Sequence, residues 1–491
     1  MQTKTNKIPA RTLLIAWILV IGALAPMLDS TMVNIALHTL TSNFHSSVAT
    51  TQWTITGYVL ATGIAVPFSG WLVNHFDGKY VYLFGELVFL LGSIFSAVAP
   101  NINLLIAARL VQGFGAGLIV PLLTTLLVKT THGKQIGQLM AIVGLPMLIG
   151  PILGPVIGGV ILKYASWRWL FWVNVPVAAL SAILIITMLP HFPAENKQQR
   201  LDWLGTILLA AGSSTVIYGI VQASQKASFQ NKTTVLYLAA GIVLFATYVW
   251  WAHRQQENAV LPLSLFHFRT FDASMVALLI SGMVINGPML LLPLFFQQVR
   301  NMSVINAGLL LGFQGIGMLV ARPLIGRLID NVGAKYVVLG SMLFSFVGTL
   351  PFAYFTADTS LVWIAIALVI RGIGVGGVVM PLMTDAYAQV TGSQVSAASI
   401  GSRIAQNVGG SLGSAIVATL LSKYLHTHMT HFAHLLKLGH YHVAPTALPQ
   451  FIHQHSLMIQ THAFQHVFLI TTFASLIMIL PALFLTDKRK R

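Results

Sequence analysis

Long apolar runs separated by short polar segments organise the whole chain. Each run is about 20 residues long or longer, which is the length that a helix needs to cross the hydrocarbon core of a bilayer. The pattern lacks the short alternating segments that are typical of a membrane β-barrel. It predicts an all-α membrane protein with fourteen spans, at roughly 12–37, 51–73, 80–99, 103–128, 136–163, 169–190, 203–222, 234–252, 272–296, 304–326, 336–356, 361–383, 397–422 and 462–485.

Composition agrees with this class and removes several others. The chain is 56% hydrophobic and only 8% charged, whereas soluble domains carry about 25% charged residues. Its formal net charge is +16, but no soluble domain is left to carry a basic groove, so nucleic acid is not an expected partner. Because the chain has no cysteine, a disulfide framework and a thiolate metal site are excluded, and no metal or other cofactor is predicted.

The basic residues predict the orientation in the membrane. An even number of spans places both termini on one side. Lys and Arg on that side outnumber those on the other by about two to one, so the positive-inside rule predicts cytoplasmic termini in the cell membrane. No GxxxxGK[ST] phosphate loop occurs, which leaves ATP-driven transport unsupported.

A glycine-rich stretch inside the fifth predicted span forms a strip without side chains. Its small residues and prolines recur every four positions, so that they share one helix face. Another backbone can approach this face closely, and the prolines bend the helix by removing backbone donors. The stretch is predicted to be a hinge, with a simple packing face as the alternative. Its members are Gly150, Pro151, Gly154, Pro155, Gly158 and Gly159.

A repeated loop motif divides the chain into two halves and is expected to gate the path between them. Its members are Gly70, Asn74 and Lys79 in the first copy, and Gly326, Asp330, Gly333 and Lys335 in the second. The copies start 256 residues apart (326 − 70), which corresponds to eight spans, whereas two adjacent six-helix bundles would be six spans apart. Two helices are therefore inserted between the bundles, and the predicted units are 1–190, 191–270 and 271–491. Parallel repeats of this kind are typical of transporters.

Several motifs, in their order along the chain, carry a resemblance to a known family. They are LDSTMVNIAL at 28–37, QW at 52–53, RLVQGFG at 109–115, GPILGPVIGG at 150–159, WRW at 167–169 and LDWLG at 201–205. Over essentially its whole length the chain resembles the fourteen-span drug:proton antiporter branch of the major facilitator superfamily. The resemblance implies two six-helix bundles with two inserted central helices, and it makes the glycine stretch the antiporter motif.

The first loop motif departs from this family pattern. Where the family has an acidic and then a basic residue, this chain has Asn74 and His75, and Asp77 replaces a glycine. The second copy keeps Asp330, Gly333 and Lys335. The charge latch that the resemblance implies is therefore not expected in the first half, although a protonated His75 would restore part of it.

Two carboxylates are the candidates for proton coupling. Of the eleven acidic residues, only Asp29 and Glu86 lie clearly inside predicted spans, where a charge costs a few kcal/mol. Asp29 and Arg109 fall at a similar depth and are expected to share one aqueous cavity, whereas Glu86 lies far from both. The resemblance places Arg109 in a proton-relay motif. The alternatives are a helix-locking role for Arg109 and a bond to a neighbouring helix for Glu86.

Other polar and aromatic residues are candidates for contacts with a substrate. The cavity of such a transporter lies between the halves near the membrane midplane. Its predicted lining consists of Asn34, Trp53, Tyr58 and Gln112 on one side and Asn286 and Phe295 on the other. Ordinary packing is the alternative for each. Arg371 resembles a second copy of the Arg109 motif, and Arg403 is placed to pair with Asp385.

A histidine-rich segment at about 423–461 precedes the last predicted span, on the external side. A solvated amphipathic hairpin is the favoured interpretation. A metal-binding or pH-sensing loop is the alternative.

Together these features predict a proton-coupled antiporter, and not an enzyme, that exports lipophilic, preferentially cationic drugs across the cytoplasmic membrane. Its expected partners are the lipid bilayer, small lipophilic substrates and protons, and the need for an accessory protein is left open. One alternative is a dedicated exporter of a single metabolite, lipid or amino acid. Another is a membrane sensor that transports nothing and uses the histidine-rich segment.

Overall fold

The computed structural model describes residues 9–131, 150, 153–154, 156–194, 201–390, 394–438 and 447–487. In these residues all regular secondary structure is helical. Thirteen of the described helical stretches are long and apolar enough to cross a membrane. Most of the predicted fifth span lies outside the described residues, and its described part is helical. The predicted all-α membrane fold is confirmed.

Within the described residues the first bundle has eight helices, four of which are long. They are α1 (Ala10–Ile35), α2 (Leu37–Asn43), α3 (Val48–His75), α4 (Gly78–Val98), α5 (Ile102–Thr131), α6 (156–164), α7 (Trp169–Trp172) and α8 (Asn174–Met188). Side chains fix where two of them begin: Ser47 accepts a hydrogen bond from the Thr50 N–H at the start of α3, and Asp77 accepts one from the Lys79 N–H at the start of α4. Helix α5 packs along both α3 and α4 and forms the centre of this bundle.

The inserted pair and the second bundle follow. The inserted helices are α9 (Trp203–Gln225) and α10 (Lys232–Gln255). The second bundle contains α11 (Arg269–Gln298), α12 (Val304–Val332), α13 (Ala334–Thr349), α14 (Leu361–Gly376), α15 (Val379–Ala386), α16 (Gln394–Lys437), α17 (Leu448–Ala474) and α18 (Ile479–Ala482). Its main internal contacts join α11 to α16 and α14 to α12 and α13.

The inserted helix α9 touches both bundles. It packs against α3 on one side and α16 on the other, while α10 packs mainly on α9. Tyr218 of α9 stacks on Trp53 of α3, with ring centroids 5.9 Å apart, and the Ala223 carbonyl accepts a hydrogen bond from Thr419 Oγ1 of α16 at 3.5 Å. The inserted pair thus covers one side of the line where the bundles meet.

A group of hydrogen bonds joins the bundles on one side of the membrane. We call the membrane side on which α1 begins the terminal side, and the opposite side the far side. On the terminal side Asn74 Nδ2 donates to Ser396 Oγ at 2.9 Å, and the Thr124 and Ser399 hydroxyls lie 2.9 Å apart. Ser399 Oγ also donates to the Pro121 carbonyl at 3.1 Å. These contacts join the two bundles on the terminal side, and we call the group the terminal-side gate.

Candidate functional site

A buried ion pair lies in the far third of the first bundle. Asp29 comes from α1, three residues after Pro26, and Arg109 comes from α5. Arg109 Nη1 lies 2.5 Å from Asp29 Oδ2, and the two residues are 0% and 1% exposed. Arg109 Nε donates to the Thr54 carbonyl of α3 at 3.0 Å, which fixes the plane of the guanidinium group. The sequence predicts a shared depth, and the structure places the two groups in direct contact.

Amide and hydroxyl groups complete a network around this pair. Asp29 Oδ1 accepts from Gln112 Nε2 at 3.1 Å and from Asn174 Nδ2 at 2.9 Å. Gln112 Oε1 accepts from Arg109 Nη1 at 2.6 Å. Ser93 Oγ accepts from both amide groups, at 3.2 and 3.3 Å. Because the network joins α1, α4, α5 and α8, a change at the carboxylate reaches four helices at once.

The aromatic neighbours of Arg109 stabilise its charge further. The centroid of the Tyr58 ring lies 4.1 Å from the guanidinium carbon, and that of the Phe171 ring lies 5.6 Å away. The Tyr58 hydroxyl donates to the Pro26 carbonyl at 3.2 Å, at the proline one turn before Asp29. The positive charge is therefore held by one carboxylate and by ring faces, and loss of the carboxylate charge would leave it uncompensated.

Glu86 forms a separate buried site in the same bundle. It is 0% exposed, and Ser181 Oγ of α8 donates to its Oε1 at 3.2 Å. Its Oε2 has no hydrogen-bond partner among the described residues. On the α1 side it faces Gly22, where a Cβ would collide with Oε1. Glu86 thus bonds a neighbouring helix and takes no part in the network around Asp29.

The glycine strip packs on the turn of α1 that holds Asp29. A Cβ at Gly150 would lie 2.9 Å from Met27 Cβ, and one at Gly158 would lie 3.2 Å from the Met32 carbonyl oxygen. At Gly154 a Cβ would collide with Thr31 Oγ1. Pro151 and Pro155, which the sequence predicts to bend this helix, lie outside the described residues. The strip therefore brings the fifth span against the backbone on both sides of Asp29.

The same helix also reaches the second bundle. Val156 at the start of α6 lies against Gly308 of α12, where a Cβ would collide with the valine side chain. The fifth span therefore contacts the Asp29 turn on one side and the second bundle on another.

Comparison with known proteins identifies the family. The family model described as Major Facilitator Superfamily matches residues 19–414. The chain belongs to the Major Facilitator Superfamily. This facilitator is therefore a membrane transporter of the cell membrane and not an enzyme, and the family resemblance seen in its motifs is confirmed.

Relatives and a solved structure match most of the chain. The Multidrug resistance protein B homolog of Mycobacterium tuberculosis is 31% identical over 487 residues, covering 96% of this chain and 90% of that protein. The Lincomycin resistance protein LmrB of Listeria monocytogenes is 28% identical over 398 residues, covering 81% and 83%. The structure of the proton:xylose symporter XylE has a TM-score of 0.58 at 13% identity and covers 94% of this chain and 95% of its own, which shows a shared fold.

The residues predicted to line a substrate cavity lie in different parts of the structure. Tyr58 and Gln112 belong to the Asp29 network. Trp53 packs against the inserted helix, and Asn286 Nδ2 donates to the Gly282 carbonyl of its own helix at 2.9 Å. Phe295 is 0% exposed and packs in the core of the second bundle, so it lines no cavity. The Asn34 side chain lies outside the described residues.

Sequence reasoning missed Asn174 and Ser93 as members of the site. Asn174 was visible as a polar residue at the start of an apolar span, but only the meeting of α8 with α1 gives it a partner. Ser93 is an ordinary small residue of α4, and no sequence signal distinguishes it from the other serines of the membrane helices.

The first loop motif contributes Asn74 to the terminal-side gate. In the first copy Asn74 bonds Ser396 across the bundles, and a Cβ at Gly70 would lie 2.5 Å from Ile400 Cδ1, so the glycine admits that side chain. Lys79 Nζ donates to the Ile186 carbonyl at 2.9 Å. Asn74 therefore provides a neutral inter-bundle contact where the family has a charge.

The second copy of the motif joins α12 to α13. Gly333 has φ 89°, a conformation that favours glycine, and Gly326 is buried within α12. The Lys335 N–H donates to the Thr486 carbonyl at 3.2 Å, which ties this corner to the end of the described chain. Asp330 lies half-buried near the end of α12.

Asp77 caps α4 and pairs with His191 on the terminal side, where its Oδ2 lies 2.8 Å from Nδ1. Partial burial acts to raise the pKa of Asp77. Hydrogen bonds from His191 and from the N–H groups of Lys79 and Phe192 outweigh that effect and hold the pKa of the carboxyl below its usual value. The residue that replaces a family glycine thus fastens the end of α8 to the start of α4.

The histidine-rich segment is helical in its described part. Helix α16 continues to Lys437 beyond the predicted end of its span at 422, and α17 begins at Leu448, well before the predicted start at 462. The His455 ring stacks on Phe432 with centroids 5.2 Å apart and planes inclined by 5°. No group of three or more His, Cys, Asp or Glu in the described part of the chain could hold a metal ion. This geometry supports the amphipathic hairpin.

Proposed function

We propose that this facilitator exports lipophilic small molecules from the cytoplasm in exchange for protons, with its terminal side cytoplasmic. The observation that carries the proposal is the buried Asp29–Arg109 pair, because an ionisable group at this depth in a membrane bundle is best explained by a role in transport. The names of two relatives refer to multidrug and lincomycin resistance, which supports lipophilic drugs as substrates.

The exchange is proposed to use the network as a switch between two states. A proton that enters from the far side binds Asp29 and removes the counter-charge of Arg109. The guanidinium group then favours a different arrangement of α1 and α5, because an uncompensated charge in a buried site is costly. The fifth span carries this change to α12 through its contacts with the Asp29 turn and with Gly308. The terminal-side gate opens, substrate enters, and the proton leaves to the cytoplasm.

The sequence predicts a preference for cationic drugs. In the structure Asp29 already accepts bonds from Arg109, Gln112 and Asn174. The carboxylate is therefore not available to attract a cation in this state, and the proposal here covers proton exchange without fixing the charge of the substrate.

Everted membrane vesicles with an imposed proton gradient test the proposal. Wild-type protein should accumulate a lipophilic dye when the lumen is acidic. Asp29→Asn keeps the shape of the side chain but cannot bind and release the proton, so gradient-driven accumulation should disappear while downhill exchange of dye continues. Asp358→Asn removes an exposed carboxylate on the far side and should behave like wild type.

The same assay examines Glu86, which is proposed as a second proton site. Glu86→Gln should lower gradient-driven accumulation without changing the downhill exchange. If Asp29→Asn accumulates dye as well as wild type does, the network does not couple protons to transport.

A further inference from the structure

The second bundle contains buried guanidinium groups with no carboxylate beside them. Arg371 of α14 is 1% exposed, and its Nη1 donates to Gln314 Oε1. Arg403 of α16 donates from Nη1 to Gln406 Oε1 at 3.1 Å. In the described residues Nε of Arg371, and both Nε and Nη2 of Arg403, are enclosed without any hydrogen-bond partner. Arg403 bonds Gln406, although the sequence pairs it with Asp385.

Arg403 lies on the face of α16 that is turned toward the first bundle. Ser396, Ser399 and Ile400 contact the first bundle at the terminal-side gate. Position 403 is one turn after Ser399 and two turns after Ser396, so it shares their face. Arg403 therefore lies one turn further into the membrane than Ser399, on the face of α16 that contacts the first bundle at the gate.

Both arginines are near the middle of the membrane. At 1.5 Å per residue, Arg403 is about 13 Å from the terminal-side start of α16, and Arg371 is about 15 Å from the far-side start of α14. In a hydrocarbon core about 30 Å thick these depths meet near the midplane, where transporters of this architecture bind their substrates.

Around Arg403 the N–H donors outnumber the acceptors that are available to them. Gln406 Nε2 is also enclosed without a partner among the described residues. The acidic residues of the second bundle lie near helix ends or in loops and leave its middle without a counter-charge; they are Asp272, Asp330, Asp358, Asp385 and Asp487.

The two bundles therefore differ in whether their buried arginines have a counter-charge. In the first bundle Arg109 is neutralised by Asp29 within the protein. In the second bundle the guanidinium groups of Arg371 and Arg403 are each satisfied only by one glutamine oxygen, which is an expensive arrangement for a buried charge. A planar guanidinium group with free N–H donors is well suited to bind a carboxylate or sulfonate.

We propose that Arg403 and Gln406 form an anion-binding subsite, and that the exported compounds are lipophilic organic anions. This inference rests on the proposed function, since it names the substrate class of the exporter. It replaces the cationic preference expected from the sequence, because the described charges without a counter-charge in the middle of the second bundle are positive.

Two probes with the same apolar body and opposite charge test the inference. Proteoliposomes containing wild-type protein are given pyrenebutyrate or a pyrenylmethyl trimethylammonium salt under the same proton gradient. Pyrenebutyrate should be transported and the ammonium salt should not. Arg403→Gln should reduce pyrenebutyrate transport about tenfold or more, since it removes a charged hydrogen-bond partner. Arg403→Lys should keep part of the activity, and Arg254→Gln, which alters an exposed arginine of α10, should keep all of it.

Binding in detergent gives a second measurement that does not depend on transport. Pyrenebutyrate should raise the thermal unfolding midpoint of wild type and of Arg254→Gln, and should raise that of Arg403→Gln much less. Transport of the ammonium salt in place of pyrenebutyrate, or equal behaviour of Arg403→Gln and Arg254→Gln, would overturn the subsite while leaving proton exchange at Asp29 intact. If the proton gradient drives transport of neither probe, the proposed proton exchange is refuted. The thermal shift with pyrenebutyrate then decides alone whether the anion-binding subsite exists.

Discussion

The contact between the glycine strip and α1 can be tested with a single methyl group. In Gly154→Ala the new Cβ would collide with Thr31 Oγ1 and would lie 3.0 Å from the Leu28 carbonyl oxygen and 3.1 Å from Thr31 Cβ. Two helices in contact cannot absorb this overlap without moving apart, because the neighbours include the backbone oxygen of Leu28. Overpacking of this kind costs roughly 1–3 kcal/mol.

The cost applies most strongly to the state in which strip and turn are in contact. A difference of about 1–3 kcal/mol between two transport states changes their ratio by about 5–150-fold, so gradient-driven dye transport should fall by a comparable factor. Gly312→Ala is the matched control, because it also adds a methyl group to a membrane-helix glycine but nothing lies within 4 Å of that position. It should transport like wild type at the same protein level.

A second substitution identifies the colliding atom. Thr31→Ala removes Oγ1. The double variant with Gly154→Ala should therefore transport more than Gly154→Ala alone. Recovery should be incomplete, because the approach to the Leu28 carbonyl oxygen remains. Transport by Gly154→Ala equal to that by Gly312→Ala, or no gain on adding Thr31→Ala, would refute the close contact between strip and α1.

Three further predictions concern the network, the gate and the terminal-side cap. Arg109→Lys should lower gradient-driven transport about tenfold or more at unchanged protein level, because a lysine cannot make the separate Nε and Nη1 bonds. The chain has no cysteine of its own. The double variant Thr124→Cys with Ser399→Cys should therefore form one disulfide, which blocks dye transport until it is reduced. Asp77→Asn should unfold at a lower temperature than wild type at neutral pH. Because the folded pKa of Asp77 is depressed, this difference should vanish as the pH falls below its ordinary value of 3.8, as measured by thermal unfolding in detergent.

Much of the architecture follows from the sequence because hydrocarbon requires long apolar helices. This requirement predicts where the chain crosses the membrane, but it does not determine how far a helix continues beyond the membrane. Helix α16 extends to Lys437 because no breaker ends it at the membrane surface, and an apolar-run criterion cannot detect that extension. The position of Gly333 at a positive φ was accessible from the motif, since a glycine after a helix often adopts it.

The candidate site was only partly predictable, since it depends on which helices meet. Asp29 and Arg109 stand out because charges are rare inside spans. Gln112 is part of the same network, but polar uncharged residues can equally line a cavity, and the sequence favours the cavity for it. Phe295 shows the opposite error: an aromatic ring near a predicted cavity packs into a core of other phenylalanines. Only the packing of helices separates these cases.

Proton movement driven by substrate is the most direct test of the proposed exchange. Proteoliposomes that contain the facilitator and an internal pH indicator are given a substrate gradient with no imposed proton gradient. Wild-type protein should move protons in the direction opposite to the substrate, and Asp29→Asn should move substrate with no change in internal pH. Substrate movement by wild type without a change in internal pH would contradict proton exchange at the Asp29–Arg109 pair.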